Sequence, residues 1–269
     1  MLPNIYVICL ESKFDARGRV TIEYITKHVD KALYNKIEKF VAITPNDFDV
    51  ENVASARQVA IIKGKRRRVV HADMSSRSQV ACCLSHIALW KRCTETKQAM
   101  IIVEDDVMPP NMSQRIYDAT NLKRDVVLFC CASTVKDTHT NKVSKFEGLG
   151  GYYITPHGAT ILLTHALPVT MHIDHYVSTC IATNDIEVYT VKNANDQWDL
   201  PEGKLSTLGH SKSLFEIQVP RLEAITSILT GAITVVVFVL VIIGLWSWYT
   251  FTFRKSLRGQ QVHEVSREN

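Results

Sequence analysis

Three consecutive carboxylates follow a short apolar run in the first half of the chain. Residues 100–103 are rich in β-branched types and predict a buried strand. Glu104, Asp105 and Asp106 stand where that strand should end. Their like charges repel, and a hard divalent cation with oxygen ligands relieves the repulsion. Because ligands usually bind at the carboxyl ends of strands in an open α/β sheet, we predict a metal-assisted site that holds a phosphate group. The alternative interpretation is a solvated acidic turn.

Periodicity predicts the elements that would position these carboxylates. Apolar residues recur at three and four spacing over residues 78–96 and predict a helix there. Residues 20–40 favour helix, 47–72 resemble a loop, and 158–165 predict a further helix. Strands are expected at residues 5–10, 40–44, 100–104, 125–131, 150–155 and 186–191. Strands that alternate with helices predict an α/β domain, residues 1–210, with a mostly parallel central sheet.

A second strong feature lies near the C-terminus. Residues 224–253 contain no charged residue, and about 20 apolar residues suffice to cross a bilayer. Aromatic residues cluster at one end, as in an interfacial belt: Trp246, Trp248 and Tyr249. We therefore predict a linker at 211–224, a transmembrane helix at 225–252 and a short basic tail at 253–269. The net charge of +4 is too small to indicate a nucleic-acid partner.

Two signals for membrane orientation disagree. The first residues carry no signal peptide, which predicts a cytosolic domain held by a C-terminal anchor. The basic residues that follow the span instead favour a cytosolic tail under the positive-inside tendency. We give more weight to the missing signal, because moving the domain into a lumen requires a translocation signal at its front. The seven cysteines, several in apolar runs, fit structural thiols in a reducing compartment.

The motifs, taken together, resemble glycosyltransferase family 25, which includes lipooligosaccharide and procollagen galactosyltransferases. The segment CCLSHIALW at 82–90, followed by IIVEDDV at 101–107, is similar to the family's helix and acidic triplet. Three further segments fit in the same order: IYVICL at 5–10, GGYYITPHGA at 150–159 and the run from Pro168 to Asp174. The usual glycine before the helix cysteine is absent here. The resemblance covers roughly residues 4 to 210.

The resemblance implies a fold, a reaction and a set of ligands. The family has a GT-A type nucleotide-sugar-binding domain, in which the triplet stands for an Asp-x-Asp motif. It implies Mn²⁺ or Mg²⁺ bound by Asp106, with Asp105 on the metal or on the nucleotide, and with Glu104 as support for both or as a further ligand to the nucleotide. It also implies inverting transfer of a hexose, galactose above all, from a UDP-sugar to an acceptor hydroxyl.

Inverting transfer needs a base on the acceptor side. Asp174 is the candidate, with His175 and Asp185 as weaker ones, and its structural alternative is a helix cap or an ion pair. His86 is a candidate for the nucleotide pocket, or else satisfies a buried hydrogen bond. Gly151, next to Gly150, either lets the backbone approach the donor sugar or forms a plain turn.

The basic run at residues 63–68 has three interpretations: a solvated loop, a contact with anionic lipid head groups, or a contact with an anionic acceptor. The sequence as a whole predicts a membrane-anchored glycosyltransferase whose acceptor is a glycan, a lipid-linked glycan or a protein. Two alternatives stay open. The first alternative is a catalytically inactive relative that acts as a membrane-bound scaffold. The second is a metal-dependent phosphohydrolase that uses the same carboxylates.

Overall fold

The structure, a computed structural model, describes residues 2–10, 15–107, 111–192 and 194. All of them lie in the first of two units, Met1–His210 and Ser211–Asn269. The predicted linker, transmembrane helix and tail lie outside the described residues. Within the described ranges, no helix is long and apolar enough to span a bilayer.

In the part of the chain that the structure describes, eight strands form two sheets. In chain order the strands are β1 (Asn4–Cys9), β2 (Ile37–Val41), β3 (Met100–Glu104), β4 (Val126–Cys130), β5 (Ser133–Lys136), β6 (Val143–Glu147), β7 (Gly151–Ile154) and β8 (Val188–Thr190). The main sheet has the order β2-β1-β3-β7-β4-β8, and β5 and β6 form a separate antiparallel hairpin. Every strand of the main sheet runs in one direction except β7, which is antiparallel to both β3 and β4. The fold is therefore mixed α/β with a largely parallel sheet.

Among the described residues, eight helices accompany these strands. They are α1 (Asp15–His28), α2 (Lys31–Tyr34), α3 (Val50–Val53), α4 (Ala56–Ile62), α5 (Arg77–Thr96), α6 (Met112–Asn121), α7 (Pro156–Leu163) and α8 (Ile173–Ala182). The longest, α5, begins at a capping box in which Ser76 and Gln79 satisfy each other's backbone N–H groups. It packs against α7 and α8.

Helices cover both faces of the main sheet. Tyr6 and Cys9 lie three positions apart on β1, so their side chains point to opposite faces. The Arg92 guanidinium of α5 lies 4.6 Å from the Tyr6 ring centroid on one face. On the other face Gly18 of α1 sits so close to Cys9 that any side chain at Gly18 would collide with the thiol. The central strands are consequently buried on both sides, as parallel strands usually are.

The predicted α5, β3 and β4 are confirmed within one residue at each end. The prediction of a loop over 47–72 is wrong, because α3 and α4 form there. The second strand was expected at 40–44 and instead occupies Ile37–Val41. Three elements were not predicted at all: α6, α8 and the β5–β6 hairpin.

Candidate functional site

The acidic triplet lies at the carboxyl edge of the main sheet, as predicted. Glu104 is the last residue of β3, opposite Ile8 of β1, and its backbone N–H donates to the Gly150 carbonyl at 2.9 Å. Asp105 and Asp106 follow in a turn. The Thr21 hydroxyl of α1 donates to the Asp105 carbonyl oxygen at 2.6 Å. Neighbouring elements on three sides therefore fix the main chain of the triplet.

Asp174 comes to the same region, although 68 residues separate it from Asp106 in the sequence. Burial raises the pKa of the Cys82 thiol well above its usual range, and the negative charges of Glu104, Asp106 and Asp174 raise it further. Asp174 Oδ2 accepts from the Gly148 N–H, two residues before the Gly150 carbonyl that binds the Glu104 N–H. One short segment, residues 148–150, therefore contacts both the triplet and the predicted base.

A chain of buried hydrogen bonds ends on Glu104. The Trp90 indole N–H donates to the Tyr152 hydroxyl at 2.8 Å, and that hydroxyl lies 2.9 Å from His86 Nδ1. His86 Nε2 lies 3.1 Å from Glu104 Oε1. Burial raises the pKa of Tyr152 well above its usual range, so its hydroxyl keeps its proton. Because the Tyr152 hydroxyl accepts from Trp90, we assign its own proton as donated in a hydrogen bond to His86 Nδ1. The other ring nitrogen, Nε2, then carries the histidine proton and donates to Glu104.

Two periodicities in the sequence place the residues of this hydrogen-bond network, one on a helix and one on a strand. His86 and Trp90 are four residues apart on α5 and so share one helix face. Tyr152 of β7 lies opposite Ile102 of β3, two positions before Glu104 and on the same sheet face. His86 itself has no exposed surface. Its burial favours the interpretation as a buried hydrogen-bonding residue that supports Glu104, whereas its contact with a nucleotide stays a prediction.

Two donor sets near β3 differ in the metal that they suit. Cys82, His86 and Glu104 place one ligand atom each within 4.8 Å of the others, and their S, N and O atoms suit Zn²⁺. The raised thiol pKa of Cys82 and the engaged nitrogens of His86 oppose that use. The carboxylates of Asp105, Asp106 and Glu104 supply the oxygen atoms that Mg²⁺ and Mn²⁺ prefer. The residues present therefore fit the predicted ion at the triplet.

Asp174 lies in the first turn of α8, where a carboxylate also interacts favourably with the helix dipole. Its Oδ1 accepts from its neighbour's N–H, that of His175, at 2.8 Å, and its Oδ2 accepts from the Gly148 N–H at 3.1 Å. Asp185, the weaker candidate, follows the other end of α8, about 15 Å away along a helix of 10 residues. It accepts from the Thr183 hydroxyl at 2.5 Å. The structure does not bring Asp185 to the triplet.

Three imidazoles cluster at the start of α8. His71 Nδ1 lies 2.9 Å from His175 Nε2, and the His172 ring centroid is 6.4 Å from those of both. Burial lowers the pKa of His172 to about 4 and also lowers that of His71. Both rings are therefore neutral at pH 7. The sequence analysis named His175 alone, because nothing in the sequence places residue 71 beside residue 172.

Gly151 has a packing explanation. A side chain there would collide with the Phe129 ring and the Cys130 side chain of β4. Gly150 contributes the carbonyl that binds the Glu104 N–H. The absence of a side chain at Gly151 thus follows from close strand packing, and a contact of this glycine with the donor sugar stays a prediction.

Removing the Tyr152 hydroxyl tests the buried hydrogen-bond network from Trp90 to Glu104. Tyr152→Phe should lower the free energy of unfolding by about 3 kcal/mol, because the Trp90 N–H and the His86 ring lose their partner inside the core. The measurement is urea unfolding followed by circular dichroism. Tyr153→Phe is the matched control, since the Tyr153 hydroxyl makes no hydrogen bond within the described part of the chain. Equal effects in both variants would contradict the chain of hydrogen bonds.

A comparison with protein-family patterns agrees with the resemblance. Residues 2–142 match the sequence pattern of glycosyltransferase family 25, described as an LPS biosynthesis protein family. No curated protein matches the chain. Among solved structures, the apo form of mouse xyloside xylosyltransferase 1 is similar, with a TM-score of 0.39 and 7% sequence identity. That match covers 71% of this chain and 85% of the mouse chain.

Proposed function

The chain belongs to glycosyltransferase family 25, and from this premise we propose that it transfers a hexose, galactose above all, from a UDP-sugar to an acceptor hydroxyl. The observation that carries the proposal is that residues 148–150 bind both Asp174 and Glu104, the last residue of β3 at the carboxyl edge of the sheet. In open α/β sheets this edge is where ligands bind. The donor class follows from the family, and the choice of UDP and galactose follows from the resemblance of the motifs.

Asp106 and Asp105 would hold Mn²⁺ or Mg²⁺. Such an ion, when bound, neutralises charge on the diphosphate that leaves the sugar. Glu104 lies at the end of the buried chain from Trp90, so the rotamer of its carboxylate is restrained before the donor arrives. A restrained carboxylate can orient a ribose or sugar hydroxyl without a further loss of side-chain freedom.

We assign Asp174 as the base of an inverting reaction. Each of its oxygens already accepts one backbone N–H and retains a lone pair for an acceptor hydroxyl. The rings of His71 and His172, in the cluster at the start of α8, are neutral at pH 7, so neither brings a positive charge that competes for the carboxylate. As the sugar leaves the diphosphate, the acceptor hydroxyl would pass its proton to Asp174.

The acceptor and the location are also proposals. A glycan, a lipid-linked glycan or a protein would present the hydroxyl. The uncharged stretch at 224–253 supports a C-terminal membrane anchor, with the catalytic domain on the cytosolic side. A nucleic-acid partner is not proposed, because the net charge of +4 is small for a chain of 269 residues.

Donor turnover is the direct test. The purified full chain, in mild detergent, is incubated with a panel of UDP- and GDP-sugars, with Mn²⁺ or with chelator, and the released nucleotide is measured. We expect metal-dependent turnover of one UDP-sugar, above all UDP-galactose. Release of phosphate from simple esters, without sugar transfer, would support the phosphohydrolase alternative. If the folded protein neither hydrolyses nor binds any nucleotide-sugar, the result would support the alternative of an inactive scaffold.

A further inference from the structure

An ion pair between a buried carboxylate and a partly exposed guanidinium holds the turn that follows the basic run. The Asp73 side chain is almost fully buried and forms two hydrogen bonds with the Arg57 guanidinium, at 3.0 and 2.6 Å. Its Oδ2 also accepts the backbone N–H groups of Val69 and Val70, at 2.8 and 3.2 Å. Although burial raises it, these partners hold the pKa of Asp73 well below its usual range. The backbone of the turn is thereby fixed at neutral pH.

The fixed backbone presents two valines to solvent. Val69 is 60% exposed and Val70 is 50% exposed. The Arg68 guanidinium braces the same turn, because it donates to the carbonyl oxygens of Val70 and His71, at 3.3 and 2.6 Å. The backbone N–H groups of both valines bind the Asp73 carboxylate. The valine side chains therefore cannot turn inward unless these hydrogen bonds break. Exposed apolar groups held in this way mark contact surfaces.

Basic side chains lie directly beside the valines. Lys65, Arg66 and Arg67 are exposed, and within the described residues no acidic side chain forms an ion pair with them. Lys63, at the start of the run, is bound to Glu51. These three cations and the two valines lie within six consecutive residues, the 65–70 surface, which combines positive charge with exposed apolar area.

We propose that the 65–70 surface docks on anionic lipid head groups, with Val69 and Val70 entering the apolar boundary of the bilayer. Basic residues beside exposed apolar ones are the combination that binds at membrane interfaces. A single-stranded nucleic acid would call for aromatic side chains on which bases stack, and the segment has none. The inference is independent of the proposed function, because it concerns a surface outside the acidic triplet.

A spin label at Val70 tests the proposal. Val70→Cys keeps the backbone N–H that binds Asp73, and its thiol would be exposed. The native thiols are free but buried, apart from the half-buried Cys82. Burial raises the pKa of four of them to about 12: Cys83, Cys93, Cys130 and Cys131. A nitroxide reagent at neutral pH should therefore label the new thiol first, with the wild-type chain as the blank.

The labelled full chain is combined with nanodiscs of phosphatidylcholine, with or without phosphatidylglycerol. We expect the label to lose contact with a water-soluble nickel chelate and gain contact with oxygen only when phosphatidylglycerol is present. Each neutralised basic residue should weaken this effect about fivefold, so Arg66→Gln with Arg67→Gln should remove most of it. About 1 M salt should reverse it, because the Debye length then falls to about 3 Å.

Val135→Cys is the matched control, because Val135 of β5 is 62% exposed and lies outside the 65–70 surface. Its label should stay in contact with the chelate in both lipid compositions. The proposal is overturned if the Val70 label behaves like the Val135 label, whether or not the chain itself associates with the discs. A response of the Val70 label to an oligonucleotide and none to phosphatidylglycerol would also overturn it and assign the surface to nucleic acid.

Discussion

Asp106→Asn is expected to lower metal-dependent turnover of the donor about a thousandfold, because a Lewis-acid ion supplies several kcal/mol and each 1.4 kcal/mol is tenfold in rate. The substitution keeps the size of the side chain and removes the charge that a hard cation requires. Asp106 is only half-buried and lies two residues beyond the end of β3, so the fold should survive. Initial rates of nucleotide release and the urea midpoint of unfolding measure the two effects separately.

Asp49→Asn is the control for Asp106→Asn. Asp49 is exposed, and its side chain makes no capping hydrogen bond to α3. The same chemical change at that position should leave both turnover and the unfolding midpoint unchanged. If Asp106→Asn retained full metal-dependent turnover, the assignment of the ion to the triplet would be wrong. The second donor set, which includes Cys82, would then be the next to test.

Asp174→Asn should lower kcat for transfer to an acceptor by about 10²- to 10⁴-fold, the usual contribution of a positioned general base. The KM for the donor should change little, because the donor is expected to contact the triplet rather than α8. Asparagine retains one oxygen, so it loses the proton-accepting carboxylate and one of the two backbone N–H contacts, to His175 or to Gly148. Steady-state rates at several acceptor concentrations separate kcat from KM.

The structural alternative for Asp174 makes a different prediction. If the residue only stabilises the start of α8, Asp174→Asn should lower the free energy of unfolding by about 1 kcal/mol and leave kcat nearly unchanged. Asp185→Asn, beyond the other end of the same helix, should leave kcat unchanged in either case. A large loss of kcat at Asp185 instead of Asp174 would reverse the assignment that the geometry favours.

The sequence predicts those parts of the site whose cause is local. Met100–Glu104 is a strand because its apolar residues are β-branched or long, and a carboxylate triplet after such a run marks the edge of the sheet. α5 follows from the spacing of its apolar residues. The contact between His86 and Tyr152 joins residues 66 apart and depends on which strands are neighbours. No local pattern contains that information.

The wrong and missing predictions have similar physical causes. α3 and α4 have 4 and 7 residues, too few for a helical period to be read from the sequence. β7 is a strand of 4 residues whose composition does not encode its direction, so a parallel neighbour was the default expectation. The network around Asp73 depends on Arg57 and Gln58 of α4, a helix that the sequence analysis did not place.

The reversed direction of β7 has a consequence for how the two sides of the site can diverge. After each of the other strands, the chain leaves the main sheet at the carboxyl edge. At β7 the chain instead enters the sheet at that edge, directly after the β5–β6 hairpin. The segment between hairpin and strand holds Asp174 through the Gly148 N–H, and β6 packs on α8. The hairpin is not part of the main sheet. Insertions or deletions in the hairpin would therefore reshape the side of the site that contains Asp174. They would leave the strand register around the triplet intact, so the hairpin can change during evolution independently of the triplet.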